Sequence, residues 1–394
     1  THGHCTLPVT PLAGIDLNSG FMPVRRVFYY VGTPDITRLQ ESLALALAQW
    51  PDFSGSLVLH NGMASLDRND VGVPFTVEAH ATSVPLFGID HPLGLPCTFC
   101  DDGIGKTFGD GGPVFTVKLS VYNDNHWVLG TCNSHALCDG SGYWQFMQSW
   151  RDAYHGVVLQ KDSSESLRIA AKTPATNADT LPANLCMPPV KLQEQQVANL
   201  AAYRTKQRYV PEATLVQLKN SINASLAPHW VSTQDVMMAW IWQSLAKIAV
   251  RHGVSIQQFF PLANVINVRA RLGLKQYTGN MVYSVISSAT LATIVDTPLA
   301  LLAQQLRNDS EQVSNHDINH FLAFMQEQLA AGNYNNDGYF TQFSSHIAED
   351  CVNGTGVMVN NWSKFPAYQM DFSGAPLWFD LATVIPMHFA MVMP

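Results

Sequence analysis

A histidine and an aspartate four positions apart are the residues of this sequence best suited to chemistry. His135 and Asp139 lie in the segment 134–140, which ends in Gly140. An imidazole near its ordinary pKa can accept and return a proton at neutral pH, so His135 is a candidate general base. A buried histidine satisfied by its neighbours is an equally common reason for such a residue. The residues around His135 must therefore decide between the two.

The His-x-x-x-Asp spacing alone is weak support, because the chain contains it twice. The second copy, His346 and Asp350, lacks a following glycine and a strand-to-turn context. Since motif matches without the right surroundings are usually incidental, we expect His346 to have a structural or surface role. In the first copy, Asp139 could orient His135 as in a catalytic triad. It could equally form an ion pair with a distant arginine.

The elements on either side of His135 favour a rigidly held side chain. Residues 126–133 alternate as a strand does, and residues 141–150 carry large apolar side chains at helical spacing. The histidine then lies at a strand-to-helix turn, and Gly140 is expected to let the chain turn sharply after Asp139. The strand at 115–121 is expected to pair with 126–133 as a hairpin across 123–125.

The remaining pattern indicates two halves that each mix strands and helices. A strand at 27–31 and a helix from Ile36 belong to the first half. In the second half we expect helices at 211–221, 232–248, 297–313 and 319–331, a strand at 357–362, and a closing hairpin of 377–379 with 383–391. Residues 1–160 form the predicted N-terminal domain, 161–200 a crossover linker and 201–394 the C-terminal domain.

Composition narrows the classes of function. The 394 residues are 47% hydrophobic and 13% charged, with a net charge of −8 and no basic run, which argues against a nucleic-acid partner. No apolar stretch has membrane-spanning length, and no glycine-rich dinucleotide motif follows a strand. Seven cysteines, including Cys97 and Cys100, favour reduced thiols in a cytoplasmic protein. No metal site is predicted.

Ordered matches along nearly the whole chain resemble the BAHD acyltransferases, the coenzyme A-dependent acyltransferases of plants and fungi. The segment 134–140 matches their His-x-x-x-Asp-Gly site, and 277–280 their Tyr-x-Gly-Asn stretch. Further similarity lies at 28–30, 39–43 and 50–57, at the helix start 232–242, at 267–272, and at 360–372 before the second signature, Asp-Phe-Gly-Trp-Gly.

The resemblance implies an α/β fold like that of chloramphenicol acetyltransferase, with two similar mixed-sheet domains flanked by helices and an active-site tunnel between them. It implies that His135 is the catalytic base and that acyl-CoA is a co-substrate, with no permanently bound cofactor. The other partner would be a small-molecule alcohol or amine, and the protein would be a monomer. Asp139 would pair with Arg269 or Arg271, Gly140 and Asp371 would be structural, and the donor contacts would be Ser232, Thr233 and Asn361.

Two departures mark a divergent member of that family. Ser373, Gly374 and Ala375 stand where the family has Gly-Trp-Gly after Asp-Phe, so any role of the tryptophan indole is in doubt. Asn267 also replaces a common aspartate.

Three functions follow from these observations. In the first, His135 deprotonates an acceptor that attacks a coenzyme A thioester, without a covalent acyl-enzyme. The second is a binding or partner module with the same fold, which the altered second signature favours and the retained His135 opposes. The third takes the acyl group from a carrier protein, as condensation domains do. Those domains usually carry a second histidine where this chain has Ser134.

Overall fold

The computed structural model of the chain describes residues 1–93, 97–105, 107–158, 193–202, 204–341, 346–383, 385 and 387–394. Strands and helices follow one another in irregular order, as the mixed pattern of the sequence predicts. Within the described ranges, no helix combines the length and hydropathy needed to cross a membrane.

The bounds of the elements are as follows. The strands are β1 (Leu7–Pro11), β2 (Pro23–Val31), β3 (Ser56–His60), β4 (Met63–Arg68), β5 (Phe75–His80), β6 (Phe115–Tyr122), β7 (His126–Ser134), β8 (Leu262–Asn267), β9 (Val282–Ser287), β10 (Val357–Asn361), β11 (Trp378–Leu381) and β12 (Phe389–Val392). The α-helices are α1 (Ile36–Gln49), α2 (Gly140–Tyr154), α3 (Gln193–Ala202), α4 (Glu212–Leu226), α5 (Thr233–Arg251), α6 (Leu291–Asp296), α7 (Leu299–Gln312), α8 (Asn315–Ala330) and α9 (His346–Asn353). Short 3-10 helices lie at Gly14–Leu17, Pro51–Ser54 and Ala367–Gln369.

The first sheet holds the strand that leads to His135. Its order is β11-β2-β7-β6-β5, and β7 pairs antiparallel with both β2 and β6. The predicted hairpin of residues 115–121 with 126–133 is therefore confirmed. Nearly every residue of β7 is buried, because β7 lies in the middle of the sheet. A central strand of this kind gives the residue that follows it a fixed position.

The second sheet is also mixed. Its order is β12-β10-β8-β9, with β10 parallel to β8 and β12, and β8 antiparallel to β9. Helices α5 and α7 pack on each other and share a hydrophobic cluster with β10 and β8 residues such as Val357, Val359 and Leu262. A third, smaller sheet has the order β1-β4-β3. Two mixed sheets flanked by helices agree with the expected α/β class.

The closing hairpin predicted near the C-terminus is wrong. Strand β11 pairs with β2 of the first sheet, placing Phe379 opposite Phe28. Strand β12 pairs instead with β10 of the second sheet, placing Ala390 opposite Val359. Each strand completes the edge of a different sheet, where an unpaired backbone was available. The C-terminal segment thereby connects the two halves.

The predicted linker at 161–200 falls mostly on residues outside the described ones. Its last part, 193–200, belongs to helix α3. The predicted boundary at residue 201 also has an exception, since β11 adds to the first sheet. Moreover, Val268, Tyr277 and Met281 of the second half join the same hydrophobic cluster as Phe115 and Phe146 of the first. The two halves therefore share a core.

Candidate active site

His135 lies where the sequence predicts it, in a turn between strand and helix. Strand β7 ends at Ser134, residues 135–137 form a turn, and α2 begins at Gly140. The main-chain N–H of His135 donates to the carbonyl oxygen of Met22 at 2.8 Å. The Nδ2 of Asn280 donates to the carbonyl oxygen of His135, also at 2.8 Å. Residues from both halves of the chain therefore hold the backbone of the histidine.

The environment of the imidazole favours its neutral form. The side chain is half-buried, and its Nδ1 is buried without a hydrogen-bond partner among the described residues. Burial lowers the pKa of His135, and the positive charge of Arg26 lowers it further. The charge of Asp139 and hydrogen bonding by Asn280 act in the opposite direction, but the pKa stays below its ordinary value. An uncharged imidazole is the form that can accept a proton.

Asp139 does not act on His135 as a triad carboxylate would. It caps α2 by accepting from the N–H of Gly142 at 3.1 Å. Its two oxygens also accept from both terminal nitrogens of Arg269, at 2.8 and 2.9 Å, and from the N–H of Met281 at 2.9 Å. Burial alone would raise the pKa of Asp139, but the Arg269 charge and these hydrogen bonds hold it below its ordinary value. Asp139 is thus an ionised carboxylate whose hydrogen bonds come from Arg269, Gly142 and Met281 and not from the imidazole.

Of the two arginines proposed for Asp139, only Arg269 reaches it. The Nε of Arg269 donates to the carbonyl oxygen of Tyr277 at 2.7 Å, and its terminal nitrogen also donates to Gly279. Arg271 lies at the C-terminal end of α7, where it donates to the carbonyl oxygens of Val313 and Ser310. A cation is favourable there because the last carbonyls of a helix lack partners. Arg271 therefore does not belong to the Asp139 pair.

Asn267 retains the hydrogen-bonding role that an aspartate could have at this position. Its Oδ1 accepts from the main-chain N–H of Arg269 at 3.0 Å, and its Nδ2 donates to the hydroxyl of Ser141 at 2.9 Å. The amide therefore links β8 to the first turn of α2 without adding a second negative charge beside Asp139.

Gly140 is required for packing and not for the sharp turn that the sequence suggested. Its φ is not positive, and a Cβ at this position would lie 2.9 Å from the ring of Phe365. Gly142, which was not among the predicted site residues, is more constrained. A Cβ there would lie 2.0 Å from the carbonyl oxygen of Thr278. Both glycines let the start of α2 approach the second half of the chain closely.

The altered second signature lies at the other end of α2. Nε2 of His155, the residue that ends α2, is 2.9 Å from the carbonyl oxygen of Asp371 and 3.3 Å from its carboxylate. Phe372 packs on Tyr154, whose hydroxyl is 2.5 Å from that of Ser373. At a rise of about 1.5 Å per residue, this end of the helix is about 20 Å from its first turn. Position 374, which carries the tryptophan in the family, is therefore remote from His135.

The three proposed donor contacts lie at the ends of two elements of the second half. Ser232 caps α5, accepting from the N–H of Asp235 at 3.3 Å while its own N–H donates to the Asp235 carboxylate at 2.7 Å. Thr233 is the first residue of that helix and is half-buried. Asn361 ends β10, and its Oδ1 accepts from the N–H of Ser363 at 2.9 Å. Their contact with a donor remains a proposal.

Two polar residues near His135 were not predicted as site residues. Asn280 was part of the Tyr-x-Gly-Asn stretch, but no pattern in the sequence placed it beside His135. Asp16 is fully buried in the 3-10 helix Gly14–Leu17, and its carboxylate accepts from the main-chain N–H of Asn280 at 2.9 Å. Asp16 and Asn280 are 264 positions apart, so no local pattern could have joined them.

The second His-x-x-x-Asp copy has the expected surface position. The side chain of His346 is fully exposed on α9, and Asp350 accepts from the hydroxyl of Thr355 at 2.9 Å. Among the described cysteines, Cys5, Cys97, Cys100 and Cys132 are free thiols. Cys97 and Cys100 interact, and this interaction helps to lower the pKa of the Cys97 thiol to about 7. That these two cysteines are plain thiols stays a prediction.

Similar proteins are acyltransferases of low sequence identity. Anthranilate N-benzoyltransferase protein 1 of Dianthus caryophyllus is 21% identical over 368 aligned residues, covering 89% of this chain and 77% of that protein. Agmatine coumaroyltransferase-1 of Hordeum vulgare is 21% identical over 424 aligned residues, covering 99% of this chain and 88% of that protein.

Solved structures share the fold. F. graminearum TRI101, crystallised with coenzyme A and deoxynivalenol, has a TM-score of 0.73 at 15% identity, covering 98% of this chain and 91% of that one. Vinorine synthase has a TM-score of 0.62 at 16% identity, covering 98% and 87%. These matches confirm the expected fold class. A model of the Transferase family matches residues 31–393, and the chain therefore belongs to this family, the BAHD acyltransferases.

Proposed function

We propose that this acyltransferase moves an acyl group from a coenzyme A thioester to the hydroxyl or amine of a small molecule, with His135 as general base. The observation that carries the proposal is a half-buried imidazole with a lowered pKa in a turn held by both halves of the chain. Groups of this kind, fixed by surrounding hydrogen bonds, are suited to proton transfer.

The proton balance of the reaction needs only one such group. His135 takes the proton of the acceptor O–H or N–H as the acceptor oxygen or nitrogen bonds to the thioester carbonyl carbon. The C–S bond of the resulting tetrahedral intermediate then breaks, and the imidazolium gives its proton to the departing thiolate. The acyl group passes directly to the acceptor, so no covalent acyl-enzyme forms.

Asp139 and Arg269 hold the turn in place and take no part in the proton transfer. Because their ion pair is buried and nearly every oxygen lone pair of Asp139 is used, the carboxylate has little reason to move during turnover. We assign Gly140 and Asp371 the same kind of role, at opposite ends of α2. Arg271 is assigned to the end of α7.

The proposed partners are an acyl-CoA donor and a small-molecule alcohol or amine acceptor. We propose that Ser232, Thr233 and Asn361 line the donor side of a tunnel between the halves, with coenzyme A entering there and the acceptor opposite. Relatives are named for amine acceptors, anthranilate and agmatine, and for a hydroxyl acceptor, a trichothecene. We also retain a monomer and a cytoplasmic location as predictions, which light scattering and cell fractionation would test.

The test of the base compares His135→Ala and His135→Asn with the wild type over a panel of acyl-CoAs and acceptors. Loss of a general base typically lowers the rate by about 100- to 10,000-fold. His346→Ala is the matched control, since it changes the exposed histidine of the same spacing and should leave turnover unchanged. Near-normal turnover by His135→Ala would remove the assignment.

A binding measurement separates the competing functions. Calorimetry with coenzyme A thioesters should give saturable heat for the wild type and for His135→Ala, because removing the base leaves the donor contacts in place. A protein that only binds a partner would show no heat with any thioester. A carrier-dependent enzyme, such as the condensation domain that shares this fold at a TM-score of 0.52, would turn over a carrier-bound acyl group but not free acyl-CoA.

A further inference from the structure

Arg26 is a buried cation that neither takes nor gives the proton in the proposed reaction. It lies on β2, only 1% exposed, and its guanidinium is 3.6 Å from the ring centroid of Tyr143 and 5.0 Å from that of Trp362. One terminal nitrogen donates to Oδ1 of Asn133 at 2.5 Å. Its Nε is buried without a hydrogen-bond partner in the described part of the chain.

The ionisable groups that act on Arg26 are the Tyr143 hydroxyl and the thiols of Cys138, Cys132 and Cys100, with no carboxylate among the described residues. Stacking on aromatic rings offsets only part of the free energy that removing a charge from water costs. An apolar side chain of similar volume would avoid that cost. An arginine at this buried position is therefore better explained by the effect of its charge on the neighbouring groups.

The contacts of Arg26 lead to the turn that carries His135. Asn133 accepts from Arg26, and its Nδ2 donates to the carbonyl oxygen of Ser134 at 2.8 Å. Ser134 is the last residue of β7 and precedes His135. The guanidinium thus supports the strand end from which the histidine projects. Its positive charge also disfavours a second positive charge on the imidazole.

The other charged groups near His135, Asp139 and Asp16, have ion-pair or hydrogen-bond partners. Asp139 favours the imidazolium, but its own charge is matched by Arg269. Asp16 is connected to the turn through Asn280, to which its carboxylate is hydrogen-bonded. Arg26 lies on β2, which pairs with the strand end that His135 follows.

Building on the proposed function, we propose that Arg26 is a positioning residue for His135. It braces the turn through Asn133, and its uncompensated charge keeps the imidazole unprotonated before the acceptor binds. The same repulsion favours return of the proton from the imidazolium to the departing thiolate.

The test replaces the charge at position 26 and uses the neighbouring arginine as control. Arg26→Met and Arg26→Gln are neutral, whereas Arg26→Lys keeps a cation at every pH at which its buried amine is protonated, which NMR of that amine measures in the same titration. Arg25→Met is the matched control, because adjacent residues of a strand face opposite sides of the sheet, and Arg25 pairs with Asp102 at 2.5 Å. The readouts are the pKa of His135, from NMR titration with the resonance assigned by its loss in His135→Asn, and the pH dependence of kcat/KM.

We expect the neutral variants to raise the pKa of His135. Because the base must be unprotonated, the acid limb of kcat/KM then moves to higher pH, and the loss of activity is largest at low pH and recovers at high pH. Arg26→Lys and Arg25→Met should titrate like the wild type. A loss of activity that is equal at every pH, with an unchanged imidazole titration, would overturn the proposal.

The test stays decisive if the neutral variants fail to fold or if His135 is not the base. If both neutral variants fail to fold, the lysine variant decides, because a raised imidazole pKa in the presence of that cation would contradict a role for the charge. The titration uses the free protein and needs no turnover. A failure of His135 as base therefore shows in the His135→Ala assay, whereas a failure of the Arg26 proposal shows in the NMR titration.

Discussion

The residue that holds His135 is not the one that its spacing suggests. Asp139 is four positions away, but its carboxylate is used by Arg269, Met281 and the start of α2. Asn280 instead holds the histidine turn through the carbonyl oxygen of His135. Spacing along the chain is a poor guide here, since a turn and a helix start point side chains in different directions.

At this scale we predict that Asn280→Ala lowers kcat by about 10- to 100-fold while KM for the acyl-CoA changes little. The substitution leaves a half-buried carbonyl of His135 unsatisfied, which costs about 1–3 kcal/mol, and each 1.36 kcal/mol that reaches the barrier is a factor of about ten. Steady-state kinetics would measure both constants.

The control for Asn280 is Asn69→Ala, because the amide of Asn69 bonds instead to Ser56 and Asp67 in the small third sheet. It should retain wild-type constants. An Asn280→Ala enzyme with unchanged kcat would show that the turn keeps its geometry without this amide.

At the scale of the element, helix α2 connects the two signatures of the sequence. Its first turn packs against the second half of the chain through Gly140 and Gly142, and its last turn contacts Asp371 and Ser373 through His155 and Tyr154. Since these ends are about 20 Å apart, Ser373 contacts the end of the helix and not the surroundings of the base.

The two glycines of α2 should differ in their tolerance of a side chain. A Cβ at Gly142 meets a carbonyl oxygen of the main chain, whereas a Cβ at Gly140 meets a ring that can shift by a few tenths of an ångström. We expect Gly142→Ala to destabilise the protein by more than the roughly 1–3 kcal/mol typical of overpacking, and Gly140→Ala by less than Gly142→Ala. Urea unfolding would rank them, and the reverse order would contradict this account of the packing.

At the scale of the whole molecule, the site depends on contacts between the halves. Asp139 and Arg269 are 130 positions apart and form a buried pair that also fixes the segment 277–281. Strand β11 crosses from the second half into the first sheet. The turn of His135 is therefore assembled only when both halves have folded against each other.

Breaking the Asp139–Arg269 pair should reduce stability strongly. Asp139→Asn or Arg269→Met leaves an uncompensated buried charge or polar group, at a cost of about 3–5 kcal/mol. The double variant should lose less than the sum of the two, because it leaves neither charge alone. Urea unfolding of all three variants would measure this, and strict additivity would mean that the pair is not coupled.

The pair also predicts how stability depends on pH. The pKa of Asp139 is lower in the folded protein than in the unfolded chain, where it is about 3.9. The ionised Asp139 therefore makes its full contribution to the free energy of unfolding above the unfolded pKa. That contribution is lost as the pH falls through the lower native pKa. The stability of Asp139→Asn should fall less steeply in acid than that of the wild type, and parallel curves would contradict the assignment.

Local patterns in the sequence were sufficient for the strand and helix around His135, the surface position of His346 and the α/β class. Those features depend on periodicities of two and 3.6 residues and on caps, all of which act between near neighbours. The family resemblance added the pairing of Asp139 with an arginine, although the residues alone left Arg269 and Arg271 open.

Only the tertiary structure decided which distant groups meet. It selected Arg269 over Arg271, sent β11 and β12 to different sheets, and brought Asp16, Asn280 and Arg26 to the histidine turn. The physical reason is that burial, ion pairing and strand pairing between the halves depend on distances that chain separation does not encode. By itself the sequence determined that a histidine stands at a strand-to-helix turn, and the fold decided which distant groups hold that turn and that burial lowers the pKa of the imidazole.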